Sequence, residues 1–448
     1  MSASTERDAE SLASPVSTTY DAMEKHWQTP DKIIESSSPA PPEVKPPRTI
    51  PNGGLQAWLQ VVGAFFLYFN TWGLLSSYGT FQAYYETDLL RDYTAFEIST
   101  IGSVQSFLLV FLGFVTGPIY DAGYYRYLLA AGSLLVVFGT LMQSICSEFW
   151  QLLLAQGFCI GIGCGCLSIM SVAITAYWFS TRLPIANGIA ACGSGVGGVV
   201  FPIVVKNLLP TIGFGWTVRA VALIVLVTLV ICNAVLRGPG ASAKRRAFVH
   251  RESLTDWPYV ALIFAYLTVF LGLYTPFFYV ESFAAGTGIA SETTAFYLLA
   301  VVNLASIFGR IIPNIHLAGM MGPMNMIILT TAILCVTALG FIGVKDVAGV
   351  FVVAIVYGFF TGTFFALQPT IFVRLTEDMS VMGTRFGMAF SIMSFGLLIG
   401  SPISGVLQRS FGSYNASWVW AAITVACGSV LLTFSRTLKV GPRLAIKI

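Results

Sequence analysis

Charged residues and histidines are scarce in this chain. Lys, Arg, Asp and Glu make up 10% of the 448 residues, three residues are histidine, and 56% are hydrophobic. A soluble domain carries about 25% charged residues, so the composition excludes an ordinary soluble fold. Long apolar windows recur along the sequence, and they predict an all-α protein that crosses a lipid bilayer many times.

Motifs for catalysis or for ATP-driven work are missing as well. The sequence has no phosphate-binding glycine loop with a lysine, and its apolar segments hold neither paired acids nor a histidine–acid set. We therefore predict no catalytic residue, no cofactor, no metal ligand and no nucleic-acid partner. These gaps argue against an intramembrane enzyme and against an ATP-driven pump.

The eight cysteines all lie in apolar stretches. Cys164 and Cys166 are two residues apart, but no histidine or carboxylate clusters near them. We interpret the cysteines as small buried residues rather than metal ligands or disulfides.

The first 50 residues differ from the rest of the chain. They are rich in Ser, Thr, Pro and Glu and poor in apolar groups, which predicts a disordered cytoplasmic tail at 1–50. No cleavable signal peptide is visible, so the first membrane helix is expected to act as the insertion signal.

Hydropathy predicts twelve transmembrane helices in two six-helix halves. The longest charged connection, 237–256, is a cytoplasmic linker between a first half at 51–236 and a second half at 257–435, and 436–448 is a cytoplasmic tail. The predicted spans are 57–78, 98–120, 126–146, 150–177, 184–208, 216–236, 257–280, 292–313, 322–343, 347–373, 384–408 and 414–435.

Basic residues predict the orientation. Connections on the side of the N terminus carry most of them, whereas the opposite connections hold only Arg91, Lys206, Lys345 and Arg409. By the positive-inside rule both termini are cytoplasmic. The cell membrane is the expected location, and the vacuole or another organelle is the alternative. Lys206 and Glu281 lie near the outer helix ends and are interpreted as interface anchors rather than relay groups.

An internal repeat links the two halves. Thr181-Arg182 and Thr384-Arg385 open the fifth and eleventh spans, and the glycines that follow recur at the same offset. Two parallel six-helix repeats are typical of transporters. The matching glycines are Gly193 with Gly396 and Gly197 with Gly400, and Trp58 and Gly73 match Trp257 and Gly272 at a slightly different offset.

The eighth span carries an arginine. Asn303, Ser306 and Arg310 are spaced at i, i+3 and i+7, so they form a polar stripe on one helix face. An arginine within a span costs at least ~2.5–3.5 kcal/mol on insertion scales. Arg310 either attracts an anionic or polar solute in a water-filled path or snorkels to the headgroups.

Aromatic rings and a few hydrogen-bonding groups predict the walls of a substrate pocket. They lie on the first, seventh, eighth and tenth spans, and such a mixture suits an amphipathic organic molecule. With the arginine, the candidate substrate-binding residues are Arg310, Ser306, Asn303, Asn70, Ser77, Tyr78, Tyr274, Phe278, Tyr357 and Gln368.

Charged residues at helix ends are candidates for gating. Asp121 and Arg126 flank the tight turn between the second and third spans, where an acid can pair with a base across the bundle in one conformation. Arg182 and Arg385 are the other candidates. The turn resembles the signature of the major facilitator superfamily, although Tyr124-Tyr125 stands where the superfamily prefers a glycine and a base.

Further motifs resemble the fungal branch of the monocarboxylate porter family. The stretch from Asn52 to Trp58 resembles that family's motif before the first span, and Tyr177 to Arg182 resembles its motif before the fifth. Gly309-Arg310 matches its arginine in the eighth span. The resemblance implies a major facilitator fold and transport of a small organic acid, with a proton as candidate co-substrate and a single-span protein as an unproven partner.

Two departures weaken the implied proton symport. Proton-coupled members carry an acid one turn before the arginine, where this chain has Ser306, and a lysine in the first span, where it has Leu75 to Tyr78. Arginine cannot replace a lysine that exchanges protons. The prediction is therefore a secondary transporter of a monocarboxylate or related acid. Export of a fungal secondary metabolite is the first alternative, and a non-transporting nutrient sensor is the second.

Overall fold

Apolar helices account for almost all of the chain that can be described. The computed structural model describes residues 52–179, 182–238, 249–316, 321–376 and 381–442, which fall within one compact unit, Ile50–Ile448. Over these ranges the chain forms helices and no strand. The tail predicted at 1–50 and residues 239–248 of the predicted linker lie outside the described residues.

Within the described residues, eleven helices are long and apolar enough to cross a membrane. One of them, Leu183–Val235, is two helices joined at Gly213, whose φ of 74° is not helical. Counted as two, it brings the number of spans to the predicted twelve. They are α1 (Leu55–Leu89), α2 (Ala95–Tyr120), α3 (Tyr125–Gln143), α4 (Phe149–Trp178), α5 (183–212), α6 (214–235), α7 (Trp257–Gly286), α8 (Glu292–His316), α9 (Pro323–Gly343), α10 (Val347–Leu375), α11 (Met382–Phe411) and α12 (Asn415–Val440).

The predicted end of the first span at residue 78 is wrong. Helix α1 continues to Leu89, and α7 and α12 run past their predicted ends at 280 and 435. Polar residues such as Gln82 and Glu86 lower the hydropathy there, but they remain helical because α1 packs against α7.

We call the side on which residues 52–54 lead into α1 the N-terminal side, and the opposite side the far side.

Helices α1 and α7 are interrupted at comparable places. Regular α-helix stops in α1 at Ser77 and in α7 at Tyr274. A π-helical turn, Phe69–Gly73, precedes the first interruption. Such turns change which residues face a neighbour, and they are frequent at functional sites.

Glycines bring α1 against α5 and α7 against α11 in the same way. At each of four positions an added Cβ would lie 2.1–2.7 Å from a carbonyl oxygen of the neighbouring helix. The predicted glycine repeat therefore marks equivalent helix crossings. The contacts are Gly193 with Phe65, Gly197 with Phe69, Gly396 with Leu267, and Gly400 with Leu271.

A second pair of equivalent crossings joins α2 to α4 and α8 to α10. Glycines of α4 lie on the backbone of α2, and glycines of α10 lie on the backbone of α8. We call α1–α6 the first half and α7–α12 the second half, although the predicted domain boundaries themselves stay a prediction. The contacts are Gly157 with Ile101, Gly161 with Gln105, Gly358 with Val302, and Gly362 with Ser306.

The two halves meet mainly along three helix pairs: α2 with α11, α5 with α8, and α1 with α7. The Phe107 and Phe395 rings are 5.2 Å apart between α2 and α11. On the far side, a Cβ on Gly79 of α1 would lie 2.1 Å from the carbonyl oxygen of Phe277 in α7. Backbones of the two halves therefore touch directly.

We expect Gly309→Ala to destabilise the protein. A Cβ there would lie 1.7 Å from the carbonyl oxygen of Phe359, so α8 and α10 would have to separate. Overpacking of this kind costs about 1–3 kcal/mol. The thermal unfolding midpoint in detergent should fall by several degrees, whereas Gly343→Ala, which meets nothing within 4 Å, should leave it unchanged. Equal midpoints for both variants would contradict the close crossing.

Candidate functional site

The polar stripe predicted on the eighth span is buried and faces the first half. The exposed fraction is 2% for Asn303, 2% for Ser306 and 9% for Arg310. Asn303 Nδ2 donates a hydrogen bond of 3.3 Å to the Ser76 carbonyl oxygen in α1. The stripe thus lies where the halves meet, and Arg310 does not extend to the headgroups.

Arg310 is held by α5. Its Nη1 donates to the Ala191 carbonyl oxygen and to Ser194 Oγ. Its charge also acts on Tyr68 of α1 and on Tyr274 of α7. A carbonyl and a hydroxyl of α5 therefore satisfy part of the guanidinium, as a buried cation requires, and phenols of α1 and α7 lie within range of its charge.

An aromatic cluster lies in the same region and joins the halves. Phe365 of α10 is at its centre, with ring centroids 5.9 Å from Trp72, 6.1 Å from Phe270 and 6.2 Å from Tyr274. We call these four residues the aromatic cluster. Sequence reasoning named Tyr274 but missed Trp72 and Phe365, although Trp72 directly precedes Gly73 of the repeat.

A small crevice opens beside the aromatic cluster. It measures about 40 Å³ and is lined by Trp72 and Ser168 of the first half and by Phe386 and Phe390 of the second half. Sites for organic ligands measure about 300–1,000 Å³. The halves must therefore separate here before an organic molecule can enter.

Two predicted pocket residues are used for packing within one half. Asn70 Nδ2 donates to Thr228 Oγ1 of α6 at 2.8 Å, and Thr228 donates back to Asn70 Oδ1 at 3.1 Å. The Tyr357 hydroxyl donates to the Leu273 carbonyl oxygen at 2.7 Å. The structure therefore does not bring these two residues together with Arg310.

The other predicted pocket residues are divided between the two sides. Ser77 Oγ donates to the Leu74 carbonyl oxygen at 2.8 Å, at the interruption of α1. The Tyr78 and Phe278 rings, 4.7 Å apart, close the contact between α1 and α7. Gln368 is buried, and its Nε2 has no hydrogen-bond partner in the described part of the chain, so it could bind a ligand.

Of the four gating candidates, Arg385 forms an ion pair, two are exposed, and one has a side chain outside the described residues. Arg385 Nη2 donates to Asp256 Oδ2, and its guanidinium lies 4.2 Å from the ring centroid of Tyr259, so it fastens α11 to α7 within the second half. Arg182 and Arg126 are exposed. The side chain of Asp121 lies outside the described residues. A latch between the halves at these positions stays a prediction.

A far-side cavity of about 730 Å³ was missed by the sequence reasoning. Its wall includes Glu86 of α1, Lys206 of α5 and Glu281 of α7. Burial raises the pKa of the Tyr414 phenol in this wall, and the Glu86 carboxylate raises it further, so Tyr414 stays neutral. The signal that could have revealed the site is Glu281, an acid within an apolar span.

The cysteines and acids form no metal site in the described ranges, where no group of three or more His, Cys, Asp or Glu residues could hold an ion. All eight cysteines are free. The interpretation as buried residues holds for Cys164 and Cys232, but Cys427 is exposed. Hydropathy alone did not predict the exposure of Cys427, because this residue lies on the outward face of α12.

Comparison with known families identifies one match. The model of the Major Facilitator Superfamily matches residues 61–371. The chain is 43% identical over 395 residues to the MFS-type transporter dbaD of Emericella nidulans, covering 88% of this chain and 89% of that protein. It is 34% identical to the aspyridones efflux protein apdF of the same organism, over 87% of this chain and 80% of the relative.

Solved structures agree on the fold. The nucleoside transporter NupG superimposes with a TM-score of 0.65 at 13% identity, over 86% of this chain and 100% of that chain. The predicted fold and the predicted superfamily are confirmed. The narrower resemblance to monocarboxylate porters is not supported by the relatives, which are named as MFS-type transporters and as an efflux protein.

We expect Arg385→Gln to destabilise the second half, since Asp256 would lose its partner. A hydrogen bond to a charged group contributes about 1.5–3 kcal/mol, and the partial exposure of Asp256 favours the lower value. The thermal unfolding midpoint should fall by several degrees. Arg182→Gln, at the matching position of the first half and exposed, is the control and should not change it. A similar fall for both variants would contradict the role assigned to the Arg385–Asp256 pair.

Proposed function

This chain belongs to the Major Facilitator Superfamily, and we propose that it exports an amphipathic organic compound by alternating access of its two halves. The observation that carries the proposal is the position of one buried cation, Arg310, beside the aromatic cluster where the halves meet. Aromatic faces bind the apolar body of such a compound, and a guanidinium binds an acidic or carbonyl oxygen.

The direction of transport is proposed from a relative. The name of apdF describes efflux of aspyridones, and that protein aligns with most of this chain. We assign the N-terminal side to the cytoplasm, because the connections on that side carry most of the basic residues. The cell membrane is the proposed location, with an organelle membrane as the alternative.

A small monocarboxylate is the second candidate substrate. The buried guanidinium of Arg310 favours it, because a carboxylate pairs with arginine through two parallel hydrogen bonds. The aromatic cluster favours a larger molecule, since four rings offer more apolar surface than a short acid can cover. We therefore place the metabolite first and the monocarboxylate second.

We expect Arg310→Gln to lower export roughly tenfold or more, since it removes the charge that binds the solute oxygen. The measurement is uptake of aspyridones and of labelled benzoate into sealed inside-out vesicles that contain the protein. Arg310→Lys keeps the charge but loses the two-pronged geometry, and should give an intermediate rate.

The control is Arg219→Gln, which removes an arginine that lies over Trp216, 4.7 Å from the ring centroid, in α6. It should transport like the unaltered protein. If benzoate accumulates and aspyridones do not, the second candidate replaces the first. If aspyridone transport is unaffected by loss of Arg310, the arginine does not belong to the substrate site.

We expect Phe365→Ala to raise the aspyridone concentration at which transport is half-maximal, because it removes the ring at the centre of the aromatic cluster. Loss of an aromatic contact should weaken binding by about 0.5–1.5 kcal/mol beyond the area lost. Phe434→Ala, an exposed position on α12, is the matched control. An unchanged half-maximal concentration for Phe365→Ala would remove the cluster from the site.

A further inference from the structure

Four carboxyl groups and two cations line the far-side cavity where the halves meet, and three of these groups concern us: the carboxyl groups of Glu86 and Glu281 and the ammonium group of Lys206. Glu86 of α1 and Lys206 of α5 belong to the first half, and Glu281 of α7 belongs to the second. All three lie within membrane-spanning helices rather than in loops. Ionisable groups in such segments are rare, and they often mark ion or proton pathways.

Glu281 has an unusual environment. Its Oε2 is buried and accepts no hydrogen bond of ordinary geometry among the described residues, and the hydroxyl of Thr80 lies beside the carboxyl group as a neighbouring donor. The charges of Lys206 and Glu86 act on Glu281. No ion pair within 4 Å holds this carboxyl group in the described ranges.

Glu86 differs because its carboxylate is satisfied. Its Oε1 accepts from Gln82 Nε2 at 2.9 Å, and its Oε2 accepts from Ser282 Oγ at 2.8 Å. The second bond joins α1 to α7 and therefore ties the two halves together. In this state Glu86 thus accepts two hydrogen bonds of ordinary geometry, whereas Glu281 Oε2 accepts none among the described residues.

Lys206 is occupied by α8. Its Nζ donates to the Thr293 carbonyl oxygen at 2.5 Å and lies 4.4 Å from the ring centroids of Phe296 and Tyr297. The lysine thus influences Glu281 from a distance and does not form a direct pair with it. Movement of α8 relative to α7 would change that influence.

Among the described residues, the other charged groups near Glu281 form no ion pair with it. Asp88 and Arg91 pair with each other at 3.0 Å and are exposed. On α11, Arg409 acts on Glu97 of α2 instead. The other ionisable groups that face the cavity are Tyr84 of α1, Glu292 of α8 and Tyr414 before α12, and Tyr279 of α7 faces Glu86.

We propose that Glu281 is the proton-binding site of the transport cycle, and that its protonation closes the far side. This rests on the proposed export function. In this structure Gly79 and Phe277 touch and Ser282 bonds to Glu86, so the halves are closed beside Glu281, and its Oε2 is buried in the wall of the far-side cavity. Opening would admit water to the carboxyl group, and water stabilises its charged form.

The proton therefore binds more tightly to the closed form than to the open form. By linkage, a fall in pH on the far side shifts the population towards closure. An exporter that is open to an acidic exterior would take up a proton, close on that side and return to the form that accepts cytoplasmic solute. The proton then leaves to the cytoplasm before the far side opens again, so a proton moves inward as solute moves outward. The site supplies the ionisable acid that Ser306 does not.

The first experiment measures far-side opening without any substrate. Spin labels at Thr87→Cys in α1 and Thr287→Cys directly after α7, both exposed positions, report the distance between the halves in a background without the eight native cysteines. We expect a short distance at low pH and a longer one at high pH, with the steepness of a single proton. Glu281→Gln should hold the short distance at every pH.

Further variants identify the group that titrates. Lys206→Met should move the midpoint to higher pH, because a nearby cation favours the carboxylate. Glu86→Gln should move it to lower pH, because a nearby anion disfavours the carboxylate. Glu281→Asp keeps a titrating acid and should retain a pH-dependent distance if Glu281→Gln does not fold. Glu148→Gln, an acid on the far side outside the cavity, should behave like the unaltered protein.

The assignment is overturned if the label distance in Glu281→Gln still changes with pH, or if the change is lost only in Glu86→Gln.

A second experiment separates this site from the export function. In vesicles that transport aspyridones, Glu281→Gln should lose accumulation driven by a pH gradient roughly tenfold or more, yet keep exchange at equal pH. If the unaltered protein moves no aspyridone, the proposed substrate class fails while the distance titration still decides the proton site.

Discussion

A charge among apolar helices must be met by polar groups or by water, and the arrangement of the two halves depends on this requirement. Arg310 is met by a carbonyl oxygen and a hydroxyl of α5, which fixes α8 against the first half. Glu86 is met by Gln82 and by Ser282 from the other half. Glu281 Oε2 accepts no such hydrogen bond among the described residues. Arg310 and Glu86 therefore stabilise the contact between helices, whereas Glu281 is the group proposed to change its protonation state.

The glycine crossings explain how the halves can move without unfolding. α1 with α5 and α7 with α11 touch through their backbones, and so do α2 with α4 and α8 with α10. These tight contacts lie within each half in every case, which makes each half stiff. The contacts between halves combine one close backbone approach, Gly79 with Phe277, with side chains such as Phe107, Phe395 and Ser282, which can separate. Rocking of rigid halves about a central site follows from that distribution.

The repeat is not symmetric in its charges. Arg385 joins α11 to Asp256 at the start of α7, whereas Arg182, its counterpart in the sequence repeat, is exposed. The far-side acids are also unequal, since one is hydrogen-bonded and the other is not. Residues at matching positions of the repeat therefore make different charged contacts. The sequence repeat alone does not reveal which half holds an ion pair such as Arg385–Asp256.

The sequence by itself determined the features that depend on local properties. Hydropathy is summed along the chain, so it predicted the twelve spans, and helical periodicity placed Asn303, Ser306 and Arg310 on one face that proved to be buried. The family motifs predicted the superfamily that the comparisons confirmed.

Only the tertiary structure decided which residues meet. Asn70 and Tyr357 bond within their own half, whereas Trp72 and Phe365 contact each other across the halves, because the helix that packs on each residue decides its partner. Glu86 is enclosed because α7 packs on the end of α1, a contact between residues nearly 200 positions apart. No local pattern carries that information, since burial of a polar group depends on the neighbour that covers it.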